Sequence, residues 1–199
     1  MATTTPNYGW PVPTSTDYVK DGATAIEALG DAIDATVFGL PKGLTLLSTT
    51  TLSGASTTVS GISQAYSDLE IWVYGMTNAT GNSGPNFRPN ATANLIQAAG
   101  TSNVNGTLAL VGVNSANIQT ANSGLRTDAN NAVRICINNY ASTTNRKNID
   151  YVMSFASTTS TPITEQYVGI IQTNSAITSM EFVNGGGNWS TGTVKIFGM

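Results

Sequence analysis

The chain has 199 residues and no histidine. That absence removes the commonest general base, the Ser-His-Asp triad and the commonest zinc ligand together. A single cysteine, Cys136, excludes an internal disulfide framework, and its place inside an apolar run makes packing the expected role of the thiol. Charged side chains make up only 10% of the sequence, against about 25% in ordinary soluble domains. No apolar run approaches the roughly eighteen residues that span a bilayer, and the opening MATTTPNYGW has neither the basic start nor the apolar core of a secretory signal. The period of a repeat protein is missing as well.

Thr, Ser, Asn and Gly fill the space that charge leaves, a polar and nearly uncharged composition that suits a β-rich surface protein better than a cytosolic enzyme. The net charge of −3 is unevenly distributed. Residues 1–40 carry Asp17, Asp21, Glu27, Asp31 and Asp34 against Lys20, a balance of −4, and the remainder carries six acids against seven bases, a balance of +1. No Lys and Arg cluster is available to neutralise phosphates, so nucleic acid is not the expected partner.

The most informative stretch runs from Asn7 to Phe38. Pro6, Pro11 and Pro13 fix φ, remove backbone donors and favour extended predecessors, which predicts an extended arm before Thr14. Tyr8 and Trp10 ride on that arm with little apolar surface of their own to cover them, so attachment to another surface is the expected use of the segment. A short helix follows, capped by Asp17 or Asp21. Its apolar positions Ile26, Leu29, Ile33 and Val37 draw one stripe, opposed by Glu27, Asp31 and Asp34. With Ile26 and Ile33 at a and Leu29 and Thr36 at d, the stripe spans about two heptads, too short for an isolated coiled coil but adequate for a seam between subunits. A helix packed on its own domain is the alternative reading of the same stripe.

The string YGWPVPTSTDYVKDGATAIEALGDAID resembles the N-terminal segment of virion structural proteins of tailed bacteriophages, of the tail-fibre, head-fibre and capsid-decoration type. The resemblance covers about thirty residues. It implies an anchor or assembly role for Tyr8, Trp10, Pro11, Pro13, Tyr18, Ile26, Leu29 and Ile33, and a place on a phage particle. The ending SMEFVNGGGNWSTGTVKIFGM, a Gly-rich loop followed from Ser190 to Met199 by turn residues and a strand such as VKIFG, resembles the last hairpin of small β-sandwich domains in phage fibre and tail proteins.

Gly39, Pro41 and Gly43 mark a boundary, giving an anchor over 1–40 and a body over 41–199. The body changes to period two. Leu69, Ile71 and Val73 alternate with Glu70, Trp72 and Tyr74, Val133, Ile135 and Ile137 with Arg134, Cys136 and Asn138, and Tyr151, Met153 and Phe155 with Val152 and Ser154. Further strands are expected over 44–52, 93–98, 107–113, 166–172, 177–183 and 193–197, and a long exposed loop over 75–90. The expected fold is mainly β: an antiparallel β-sandwich, jelly-roll-like, preceded by the extended arm and one short α-helix.

Carboxylates are the remaining acid/base candidates. Asp68, Glu70, Asp128, Asp150, Glu165 and Glu181 fall in no recognisable glycosidase pair. Asp128, Asn130 and Asn131 lack the Gly and terminal Glu of a calcium loop, and the glycine clusters lack the Lys and following helix of a phosphate site. Trp189, beside such a cluster, is expected to pack rather than to bind. The expectation is therefore a non-enzymatic protein with no cofactor or metal, made in the host cytoplasm and placed on the virion surface as a homotrimer. It would act as a decoration or cement protein, or as a short head or tail fibre. Its expected partners are copies of itself, a major capsid or tail/vertex protein and possible host-surface glycan, with no nucleic acid and no membrane. A receptor- or carbohydrate-binding sandwich module is the rival reading.

Overall fold

The computed structural model describes residues 3–14, 18–39, 43–79, 84–92, 96–119, 131–156 and 161–199. It divides into two compact units, Met1–Gly43 and Leu44–Met199.

In the first unit, strand β1 (Thr3–Thr4) pairs antiparallel with β2 (Pro11–Val12). Gly9, at φ +66°, supplies a left-handed residue that a side chain would resist, and the turn is closed by Gly9 N–H to Thr5 O at 3.0 Å and Thr5 N–H to Trp10 O at 2.9 Å. The expected extended arm is thus extended only locally, because the chain doubles back into a small hairpin. A 3-10 turn at Val19–Asp21 leads into α1 (Gly22–Gly39), so Asp21 lies in the turn and the other expected cap, Asp17, is outside the described residues.

The second unit is the expected β-sandwich. Its strands are β3 (Thr45–Thr51), β4 (Ser56–Ser60), β5 (Leu69–Asn78), β6 (Pro85–Pro89), β7 (Ile96–Val104), β8 (Thr107–Ser115), β9 (Ile118–Gln119), β10 (Asn131–Asn138), β11 (Lys147–Ala156), β12 (Pro162–Ile171), β13 (Ser179–Asn184) and β14 (Trp189–Gly198). One sheet has the order β3-β14-β5-β10-β11-β12-β7-β8 and the other β4-β13-β6-β9, with every pairing antiparallel.

The pairings are nested. β3 meets β14, β4 meets β13, β5 meets β10 and β6 meets β9, as when a long antiparallel ribbon is rolled into two facing sheets. That is the jelly-roll arrangement. Two hairpins are inserted into it, β7–β8 between β6 and β9 and β11–β12 between β10 and β13, and both extend the first sheet. The β7–β8 turn is Asn105-Gly106 at φ 49° and 87°, a pair suited to the two-residue turn that matches strand twist.

The alternating runs bury the faces assigned to them. Leu69, Ile71, Val73, Val133, Ile135, Ile137, Tyr151, Met153 and Phe155 all lie in the core. Phe87 and Phe182 meet edge-on at 5.5 Å on the facing sheet. Trp189 packs in the same core and donates its indole N–H to Phe182 O at 3.2 Å.

The expectation of an exposed loop over 75–90 is overturned where residues are described. Met76, Thr77 and Asn78 continue β5, and Phe87 is buried in β6. The segment is crowded with turn formers, which are depleted in strands, but β13 and β9 supply backbone partners on both sides, with Phe182 and Ile118 opposite Phe87. β4, with the sequence STTVS, has β-branched Thr57, Thr58 and Val59 but only one apolar residue, and it is likewise held by β13. The start of the strand expected over 93–98 lies outside the described residues, and β7 continues past it to Val104.

Lys147 is fully buried and ties two loops together. Its ammonium donates to the carbonyls of Ser142 at 2.6 Å, Asn145 at 2.7 Å and Asn174 at 3.1 Å. Burial pushes its pKa down, while three acceptors favour keeping the proton.

Candidate assembly surfaces

In the N-terminal unit the helix α1 has no buried residue. Gly22, Ala25, Leu29, Ala32 and Thr36 are half-buried, spaced three and four apart along one face, and α1 packs on β2. Trp10 fixes the packing: its Nε1–H donates to Thr36 Oγ1 at 2.9 Å, and Thr36 Oγ1–H donates in turn to Ala32 O at 2.8 Å. Tyr8 stacks on Trp10 with ring centroids 5.2 Å apart and planes 18° from parallel. Tyr8 itself stays exposed, as does Tyr18, whereas Pro11 and Pro13 are half-buried.

The apolar stripe read from the sequence therefore separates into two. Leu29 and Thr36, at the d positions, join the face that the hairpin occupies. Ile26 and Ile33, at the a positions, stand with Val37 on the neighbouring face and remain exposed, Ile26 by 66%. A step of three residues turns a helix by about 60° short of a full circle, which is enough to move a side chain from one face to the next. The 3.6-residue pattern revealed that apolar residues cluster; which of them the arm would cover depended on where the hairpin placed Trp10.

On the body, the outer face of the eight-stranded sheet is the unusual surface. Trp72 and Tyr74 of β5 face outward and are exposed. Glu70 below them is nearly buried, accepting from Arg134 Nε at 2.5 Å and from Trp72 Nε1 at 2.6 Å. Burial opposes ionisation of Glu70, but these hydrogen bonds and the Arg134 charge outweigh it and hold the carboxyl below its ordinary pKa. Trp72 also tilts against Phe197 at 5.1 Å, and Lys195 Nζ lies 5.9 Å from the Tyr74 ring centre.

A cleft of about 400 Å³ runs beside these rings, with Ala132 and Val133 as floor, Val152 and Ser154 as far wall and Arg134 at one end. Ala132 is the small residue between Tyr74 and Ser154 in the register, and its missing bulk makes the cleft. Cys136 is buried one step along β10, opposite Asp150, and burial, reinforced by that carboxylate, pushes its thiol up to about 11.

Farther along the same face, Leu108 and Leu110 of β8 and Val168 and Ile170 of β12 are exposed. The sequence had signalled strands in both places but not that this face would be bare.

Three further carboxylates are engaged. Glu165 is buried, accepting from Ser102 Oγ at 3.2 Å and Tyr167 OH at 2.9 Å. Glu181 pairs with Arg88 at 3.4 Å, and Asp68 accepts the Asn139 N–H at 2.6 Å. Asn131 bridges Met76 O at 2.6 Å and Ala156 N–H at 3.3 Å, while Asp128 and Asn130 lie outside the described residues. Among the described residues no three metal-ligating side chains gather, and no helix is long and apolar enough to cross a membrane. No known protein family, curated protein or solved structure matches this chain.

Proposed function

We propose that this chain is a non-enzymatic structural protein of a tailed-phage virion, held on the particle by its N-terminal unit and displaying the sandwich at the surface as a homotrimer. A capsid decoration or cement protein and a short head or tail fibre are the two forms this role takes. The observation that carries the assembly reading is the bare stripe of Ile26, Ile33 and Val37 on a helix whose adjacent face is already occupied by its own hairpin. Three such stripes meeting on an axis bury what one chain alone leaves in water. The N-terminal resemblance supports the virion setting. The jelly roll adds a fold-level analogy, since viral shells and lectins both use it.

Light scattering of the isolated protein should give the mass of three chains or a multiple of it. Ile33→Asp, which places a charge from each chain at the axis, should break that three-fold unit. On particles, deletion of Met1–Thr16 should abolish incorporation while the body stays folded. Normal incorporation of the truncated chain would remove the anchor role. Copy number then separates the two forms, hundreds per particle for cement and a few dozen at most for a fibre.

A second reading, a carbohydrate-binding module, is favoured by the cleft beside Trp72 and Tyr74, where aromatic faces and Arg134 adjoin. Glycan-array binding that is lost in Trp72→Ala, from a protein that scatters as a monomer, would support it over the first.

A further inference from the structure

β8 is the last strand of the eight-stranded sheet, and its outer edge has no neighbour among the described residues. Its pairing with β7 is continuous from Ile96↔Ser115 to Val104↔Thr107, without a bulge. The residues closing a two-residue hairpin form a hydrogen-bonded pair, so parity directs the backbone groups of Leu108, Leu110, Gly112 and Asn114 away from β7. The nine residues TLALVGVNS contain no charge and no proline. Leu110 is 89% exposed, Leu108 67% and, two strands inward on the same face, Val168 71%. Long, regular, uncharged edges of this kind are what natural sheets normally blunt. β3, at the opposite edge, is blunted by a bulge of its own at Leu47, the residue skipped where Ser48 pairs with Ile196 and Leu46 with Phe197.

We propose that the β8 edge is a two-fold interface at which a second copy of this chain adds its own β8 antiparallel, making one continuous sheet across two subunits. The occupant follows from self-complementarity. A register centred on Val111 pairs all nine residues, Thr107 with Ser115 through to Ser115 with Thr107, and sets even residues opposite even ones, which are those whose backbone groups point outward. In that register Leu110 lies opposite Gly112 of the other copy, on the same face of the sheet. A Cβ at Gly112 would meet only Ala98 O, at 3.8 Å, so its own chain leaves the space above it open. Beside it is a shallow depression bordered by Ala99, Asn114, Val168 and Ile170. Each Leu110 is thus a knob facing a hole in its partner, twice over by symmetry. Paired strands of this length give a contact about 30 Å long. This interface uses none of the helix stripe and does not depend on a virion role.

The test is carried out on the full chain. At the two-fold axis Val111 faces its own copy as a non-hydrogen-bonded pair, with Cα atoms about 4.5 Å apart, within disulfide range. Val111→Cys should cross-link to covalent dimers under mild oxidation. Ala109→Cys, about 14 Å from its copy in this register, should not. The native Cys136, buried and with a raised pKa, contributes little background. Leu110→Lys should halve the mass seen by light scattering while circular dichroism remains that of the folded sandwich. Unchanged mass for Leu110→Lys, or cross-linking of Ala109→Cys as readily as Val111→Cys, would overturn the interface. Ile33→Asp should leave Val111→Cys cross-linking intact, so failure of the helix seam and failure of the β8 edge are read separately.

Discussion

Trp10 and Thr36 are twenty-six positions apart in sequence and joined by a 2.9 Å hydrogen bond that seats the N-terminal hairpin on α1. Thr36 relays the bond to Ala32 O and so serves as acceptor and donor together. The contact decides which face of the helix is covered and which stays exposed.

Thr36→Val keeps the side-chain shape and removes the acceptor. Because Trp10 is half-buried, its N–H can turn to water, and the loss should be about 0.5–1.5 kcal/mol of local stability. Native-state exchange of the Thr5 amide, which donates to Trp10 O, should accelerate about two- to tenfold. No acceleration would mean that the hairpin is held by Pro11 and Val12 alone.

Phe87 and Ile135 face each other's sheets across the core and are both fully buried. Ile135→Ala should cost about 2–5 kcal/mol and Phe87→Ala about 3–5 kcal/mol in denaturant melts. A small cost at Phe87 would restore the reading of its segment as a surface loop.

Lys147→Met retains most of the apolar stem and strips three carbonyls of their donor. The expected loss is at least about 2 kcal/mol. Protease susceptibility should rise near Ser142–Asn145 and Asn174, the loops that the ammonium joins. Stability equal to the native protein would show that water replaces the ammonium without loss.

Glu70 has a folded pKa below its ordinary value, so the unfolded chain binds that proton more readily. Its contribution is fully present above the ordinary carboxylate range and is lost as pH falls through the folded value. Glu70→Gln should therefore be less stable than the native protein at neutral pH, with the gap closing on acidification. Measuring unfolding midpoints of both proteins from pH 7 to pH 3 checks the sign. A gap that widens toward acid would contradict the Arg134 and Trp72 account.

The sequence by itself determined the elements whose signal is local. Period-two runs such as Val133, Ile135 and Ile137 or Tyr151, Met153 and Phe155 bury one side because a strand sends alternate side chains to opposite faces whatever its partner. The helix over Gly22–Gly39 follows from its own 3.6-residue spacing. Tertiary structure decided everything that requires a second segment. Ser56–Ser60 and Pro85–Pro89 became strands because β13, roughly a hundred residues later in the chain, offers both its edges to them, and no propensity in either segment records that offer. Leu29 and Ile33 look alike in a stripe, yet Leu29 lies on the face that the hairpin covers and Ile33 does not. β8 carries apolar residues on both faces and only the rolled ribbon makes it an edge, because an unpaired row of backbone groups is a property of strand order and not of the strand.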